Sequence, residues 1–355
     1  MRIMSVRSGP EESVTHSTHH GYEDIQVVRL APRSSMRYLR HRANASDLVE
    51  LVRETQPELI NLAVANNRAM TLQCLHAAHV TGKPMVTYRG AIGGLNVLSP
   101  IDHAIMRHRN LRRVIALTFA MSSAWANNPG MRLLVPPEKV EVSGRAIGIA
   151  TVGKNERTKI RAELGIAPDD FALGSIANSR PIKNLEFAAR VVAGLGDSGK
   201  PAKLVLIGRI DETTVQRLKN LSGDRLIATG FKANAAPLAA GFDVCVSPTR
   251  RPGEGFGKSI AEAMIQGVPA VSSNFGGACD IIESGTSGFL LPLNEQAWVH
   301  AIGQLFEDRK QLQAMGAAAQ ARIQNHFSKE ALERRNRNIF ASVIEEWRKM
   351  NSAAF

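Results

Sequence analysis

Cysteine is scarce. The chain has three in 355 residues, at Cys74, Cys245 and Cys279, far apart and with no CxxC pair. This argues against a disulfide framework or a structural zinc and fits a reducing cytoplasm. Aromatic residues make up only 5%. With no RNA- or DNA-binding motif beside them, nucleic acid is disfavoured as a partner. No apolar run reaches the ~18 residues that span a bilayer, and none at the start reads as a signal peptide. The sequence has no Walker lysine loop, no HExxH, no GxSxG and no Asp-x-Asp. His16, His19 and His20 are metal-ligand types without a supporting carboxylate or cysteine spacing; they read as a disordered polar loop, and no metal is expected.

Acids are the minority charge: 32 Asp and Glu stand against 44 Lys and Arg, for a net +12. Residues 1–150 hold 18 of the cations, 11 of the acids and eight of the ten histidines. Such a balance favours anionic partners: nucleic acid, acidic lipid or phosphorylated substrates. Two basic clusters recur, Arg33, Arg37, Arg40 and Arg42, and Arg107, Arg109, Arg112 and Arg113. They read first as solvated faces, with anionic lipid as the other partner.

Hydrophobic residues at 44% and charged residues at 21% are globular proportions, and the length suits two domains. Short β-rich runs alternate with amphipathic stretches, which implies parallel sheets covered by helices. Strands are expected at 2–6, 25–30, 59–64, 85–88 and 114–117, with helices at 45–55 and 68–81. The glycine-marked segment around residue 150 is a domain boundary. Beyond it the alternation restarts, with strands at 171–177, 203–207, 225–229, 244–247 and 270–272 and helices at 184–195, 213–221 and 256–266. Residues 294–350 are almost wholly helical in pattern. The expected architecture is α/β: two Rossmann-like domains, at 1–150 and 151–330, and a helical tail.

The stretch GEGFGKSIAEAM, from Gly253 to Met264, places two acids around the start of one helix. Its strand ends at Ser247, so the loop and the helix start lie beyond a strand's carboxyl end, where ligands of such sheets sit. Gly255 and Gly257 let backbone approach a ligand, and helix-start amides suit a phosphate. Glu254 and Glu262 would stand about 12 Å apart if every step were helical. Carboxylates accept from hydroxyls and repel phosphate. The arrangement therefore fits hydroxyl, phosphate, hydroxyl: Glu254 on a sugar, the helix start on a diphosphate, Glu262 on a ribose. The plainer alternative is an ordinary acidic first turn.

The same stretch carries a resemblance. Glu254 and Glu262, Gly267-Val268-Pro269-Ala270-Val271, Gly276-Gly277 and the loop from Gly285 to Gly288 occur in the order of the donor-site signature of the family-4 retaining glycosyltransferases of GT-B fold (glycosyl transferases group 1). The resemblance implies two Rossmann-like domains facing across a cleft, with a C-terminal helix, here 331–350, crossing back to the first. It implies a UDP- or GDP-linked sugar donor, no other cofactor and no required metal. It also implies front-face attack with retention, the leaving diphosphate held by cations. Glu254, Lys183 and Arg180 take the catalytic roles. Asn178 stands where the family has an arginine, and Arg180 follows two places later. Donor contacts fall on Glu262, Gly255, Phe256, Gly257, Lys258 and Asn178, and on Gly208, Gly230 and Phe231 beside the base. Arg89 and Gly90 replace the family's histidine after a first-domain strand and face the acceptor or the cleft.

The opening departs from the family. Its usual first strand and glycine-rich turn read as missing or replaced, so the first domain looks trimmed. The implied function is sugar transfer to a glycan or lipid-linked acceptor, in cell-envelope, exopolysaccharide or lipopolysaccharide synthesis. Its expected place is the cytoplasm, possibly at the inner membrane face. Two alternatives remain: a degenerate, non-catalytic relative that binds a nucleotide sugar or a partner enzyme, and, more weakly, an epimerase.

Overall fold

A computed structural model describes residues 3–8, 15–19, 22–30, 41–62, 68–89, 95–148, 150–250 and 255–352. The chain divides into two compact units, Met1–Gly144 with Glu333–Phe355, and Arg145–Leu332.

The first unit is built on β1 (Ile3–Ser8), β2 (Thr15–His19), β3 (Tyr22–Leu30), β4 (Leu59–Leu62), β5 (Met85–Arg89), β6 (Leu111–Ala116) and β7 (Val140–Val142). Their order is β2-β3-β1-β4-β5-β6-β7. Every neighbouring pair is parallel except β2 with β3. Two expectations are corrected here. The chain does have an opening strand: β1 lies between β3 and β4, paired on both sides. The glycine-rich turn that would follow it falls outside the described residues. His16 and His19 lie in a strand and not in a polar loop, because Thr15–His19 adds antiparallel to the sheet edge, where an all-polar strand is tolerated. His20 lies outside the described residues.

Strand alternation sorts the first sheet's side chains onto two faces. Met4, Ile60, Leu62, Met85 and Val114 join one core with helices Arg68–Val80 and Pro100–Arg107. Ile3, Leu59, Val86 and Ile115 point the other way and pack on Ile339, Phe340, Val343 and Ile344 of the helix Lys329–Ser352. The second basic cluster belongs largely to this contact. Arg112 and Arg113 pair with Glu346 and Arg113 also with Glu141, while the Arg109 guanidinium lies 5.8 Å from the Trp347 ring. Arg112 and Arg113 are therefore not a free solvated or lipid-facing pair but fasten a helix, while Arg107 and Arg109 are exposed, as a solvated face would have them. Of the first cluster, Arg33, Arg37 and Arg40 lie outside the described residues, and Arg42 falls in helix His41–Thr55.

The second unit carries β8 (Phe171–Ile176), β9 (Ala202–Ile207), β10 (Leu226–Ala228), β11 (Val244–Ser247), β12 (Ala270–Ser273) and β13 (Gly288–Leu291). All pairs are parallel, in the order β10-β9-β8-β11-β12-β13. This is a doubly wound sheet whose strand order reverses between β8 and β11. Leu173, Leu204, Leu206, Val244 and Val246 fill one face; Ala172, Val205, Ile207 and Cys245 fill the other. Both faces are covered, which explains the unbroken apolar runs of β9 and β11. The helix expected at 256–266 is shorter, Lys258–Met264. Gly257 precedes it at φ +78°, a conformation that side chains disfavour, so regular winding cannot begin earlier. Among the described residues, no helix is long and apolar enough to cross a membrane.

Candidate active site

The loops that leave β8, β9 and β10 are tied into one surface. Ala177 N–H donates to Ile207 O (3.0 Å), Ser179 N–H to Arg209 O (3.3 Å) and Gly208 N–H to Gly230 O (2.9 Å). Gly208 makes this closeness possible. At its φ of +148°, a Cβ would sit 1.8 Å from the Ala177 carbonyl oxygen. A second glycine braces the opposite wall. A Cβ on Gly277 would come within 2.5 Å of the Phe256 backbone, so the Gly276-Gly277 turn supports the segment that enters helix Lys258–Met264.

Between these walls, at the switch point of the sheet, is a cavity of about 630 Å³, within the range of small-ligand sites. Six cations line it: Arg145, Arg180, Lys183, Arg209, Lys232 and Lys258. Among the described lining residues Glu262 is the one carboxylate. Such a wall suits a ligand carrying more than one negative charge.

Each cation reaches the cavity by its own route. A short 3₁₀ turn, Pro181–Lys183, presents Lys183. It is closed by Lys183 N–H to Arg180 O (2.9 Å), and Arg250 N–H holds Ile182 O (2.8 Å). Asn178 Oδ1 accepts from both the backbone N–H and Nε of Arg180, at 3.3 and 3.2 Å. The residue that stands in the family's arginine position thus steadies the arginine two places on. The Arg209 guanidinium lies 4.6 Å from the Phe231 ring centroid, and Phe231 is 60% exposed. Together they form a flat cationic platform suited to stacking. Lys232 pairs with Glu163 at 3.2 Å.

Glu262 is buried, on a helix whose neighbouring residues Ile260, Ala261, Ala263 and Met264 are also buried. The sequence reading had both acids free to accept from hydroxyls, and the structure adds a partner. Lys258 Nζ lies 2.6 Å from Glu262 Oε1. Lysine four residues N-terminal to glutamate is the weaker order for such a pair. The Lys258 side chain is 59% exposed, so the pair is worth under about 1 kcal/mol and is readily exchanged.

Of the residues expected at a site, Asn178, Arg180, Lys183, Gly208, Phe231, Phe256, Gly257, Lys258 and Glu262 line this one cavity. Gly230 stands behind it through its carbonyl, and Gly255 is exposed and outside the lining. Arg89 belongs to the first unit. Glu254 and Gly90 lie outside the described residues. Sequence reasoning missed Arg145, Arg209 and Lys232. Arg209 and Lys232 each directly follow a residue that was singled out, Gly208 and Phe231, and their place beyond a strand end was the available signal. Arg145 has no local motif.

Residues 169–308 match the family described as Glycosyl transferases group 1. This segment is a group 1 glycosyltransferase domain. It contains the loops and the helix that build the cavity, apart from Arg145. The chain is 28% identical to the N-acetyl-alpha-D-glucosaminyl L-malate synthase of Bacillus anthracis over 62% of its own length and 58% of that protein's. It is 29% identical to the lipopolysaccharide core biosynthesis mannosyltransferase LpsB of Rhizobium meliloti over 34% of its length and 35% of the relative's. The chain thus spans roughly a third to a little over half of these glycosyltransferases. The Anabaena HepE structure in complex with UDP and glucose superposes with a TM-score of 0.65 at 19% identity, covering 97% of this chain and 99% of that one. The α/β fold of the two units is that of the GT-B glycosyltransferases.

Proposed function

We propose that the chain is a retaining, metal-independent glycosyltransferase. It moves a sugar from a UDP- or GDP-linked donor to a glycan or lipid-linked acceptor in cell-envelope polysaccharide or lipopolysaccharide synthesis. One observation carries the reading: a cavity that six cations and one buried carboxylate line among the described residues, at the switch point of a doubly wound sheet. The relatives' sugar-transfer names and the UDP complex of a structure with the same fold support it.

In this reading Lys183 and Arg180 neutralise the donor diphosphate as it leaves, the point at which fixed charge lowers the barrier most. Glu262 accepts from the ribose hydroxyls, exchanging Lys258 for them, and the Arg209–Phe231 platform stacks on the base. Glu254 takes the transferred sugar. No protein carboxylate acts as a covalent nucleophile: the acceptor oxygen attacks the anomeric carbon on the face the diphosphate leaves, and its proton passes to the departing phosphate oxygen. No cofactor beyond the donor is needed. The domain at 1–150, with the helix at 331–350, takes the acceptor. Work at the cytoplasmic membrane face belongs to the same reading.

Three measurements test it. UDP or GDP at 100 times its dissociation constant should add about 2.7 kcal/mol to the unfolding free energy, with the same gain in EDTA. If neither nucleotide shifts unfolding, the donor site is wrong. Glu262→Gln should weaken UDP about 10-fold or more and leave the affinity for 2′,3′-dideoxy-UDP unchanged. An equal loss for both would remove Glu262 from the ribose. Proton NMR of the product should show the donor's anomeric configuration; inversion would reject front-face attack.

A further inference from the structure

The first unit holds an arginine that the described residues around it do not fully neutralise. Arg89 ends β5 and is 4% exposed. Alternation puts it on the face of Met85 and Thr87, the face packed with helices Arg68–Val80 and Pro100–Arg107. Its Nε is buried with no hydrogen-bond partner. Arg112, Arg113 and Arg161 also have no hydrogen bond at Nε, but each is anchored to a carboxylate through a terminal nitrogen.

The nearby charges do not make up the difference. Arg68 holds Asp102 with two bonds, Nε to Oδ1 at 2.7 Å and Nη2 to Oδ2 at 2.8 Å. Asp102 Oδ2 also accepts from Asn96 N–H at 2.8 Å. The carboxylate is thereby engaged, and the Arg68–Asp102–Arg89 group keeps one positive charge in excess. Burial pushes the Arg89 pKa down, Asp102 opposes this and Arg68 adds to it; a guanidinium nonetheless stays protonated. Among the described residues Arg89 thus shares its one nearby carboxylate with Arg68, and a buried charge only half compensated is unfavourable. Its position is informative. β5 ends at the carboxyl edge of the parallel strands, and Arg68 opens the helix that follows β4, at that same edge.

We propose that Arg89, with Arg68 beside it, binds a carboxylate or phosphate carried by the molecule that accepts the sugar. The inference rests on the transferase reading, which gives the donor to the second unit and the acceptor to the first. A guanidinium meets either anion with two parallel hydrogen bonds. A neutral glycan would leave Arg89 as it is; an acceptor with an acidic group completes it.

The test uses the full chain labelled with ¹⁵N-arginine. The Arg89 Nε–Hε resonance is assigned by its disappearance in Arg89→Lys, or by backbone connectivity if that variant does not fold. The protein is first saturated with UDP and then titrated with inorganic phosphate near pH 6. Phosphate should move the resonance saturably, with an affinity that falls about 10-fold or more in Arg68→Gln. A resonance that ignores phosphate overturns the proposal. So does one that responds to phosphate in the free protein and no longer does so once UDP is bound, since the anion would then be the donor's own. Absence of any UDP binding by calorimetry would strike the transferase reading instead, so the two failures are distinct.

Discussion

Lys183→Ala is expected to lower kcat/KM for sugar transfer about 100-fold, the effect of removing one fixed charge from a developing anion. The loss should fall mainly on kcat, because negative charge on the bridging phosphate oxygen is greatest as the glycosidic bond breaks. The backbone argues for a fixed role. Lys183 ends a 3₁₀ turn, and the next residue, Asn184, is held at φ +52°. The turn is fastened to the loop after β11 through Arg250. An alanine there leaves these backbone bonds intact, so unfolding should be unchanged. Lys183→Arg should recover only part of the rate, since a planar fork does not occupy the place of a point charge. Steady-state kinetics and a urea curve on the same preparations decide the matter. Unchanged kcat in a folded Lys183→Ala protein would remove the residue from catalysis.

Val343→Asp should destabilise the first unit by about 4 kcal/mol or more, the range reached by an unpaired buried carboxyl group. Val343 is fully buried among Ile339, Phe340, Ile344 and the sheet residues Ile3, Leu59, Val86 and Ile115. A domain's whole stability is only about 5–15 kcal/mol, so a large share is at stake. Glu345→Gln, two residues on, removes an exposed pair with Lys349 and should leave the urea midpoint nearly unchanged. Urea unfolding of the three proteins tests the contrast. If the Val343→Asp midpoint equals that of the parent chain, the helix does not cover the sheet.

The doubly wound sheet of the second unit could be read from the sequence because its strands carry the evidence twice. AKLVLI and VCVS are continuous apolar runs, and the structure buries their alternate residues on two opposite faces. Asn178, Lys183 and Glu262 could be located for a related reason. Each follows a recognisable strand at a short, countable distance, and strand ends in this topology converge. Arg145 could not, since it reaches the cavity from a connecting segment with no periodicity. The Lys258–Glu262 pair was visible in principle as an i,i+4 spacing, but each residue had been given its own separate ligand. The arginines at 112 and 113 were misjudged because charge spacing alone does not show that a helix more than 200 positions later brings Glu346 to them. The histidines at 16 and 19 were misjudged because an edge strand needs no apolar face to announce it.

The return of helix Lys329–Ser352 to the first sheet has a consequence for biosynthesis. Ile3, Leu59, Val86 and Ile115 are made long before Ile339, Phe340, Val343 and Ile344, the side chains that cover them. All of Arg145–Leu332 must leave the ribosome in between, which takes on the order of 10–40 s at about 5–20 residues per second. During that interval one side of the nascent sheet is wet and apolar. A chain stalled before Glu333 would present that surface to chaperones, and arrival of the helix Lys329–Ser352 is the step that retires it.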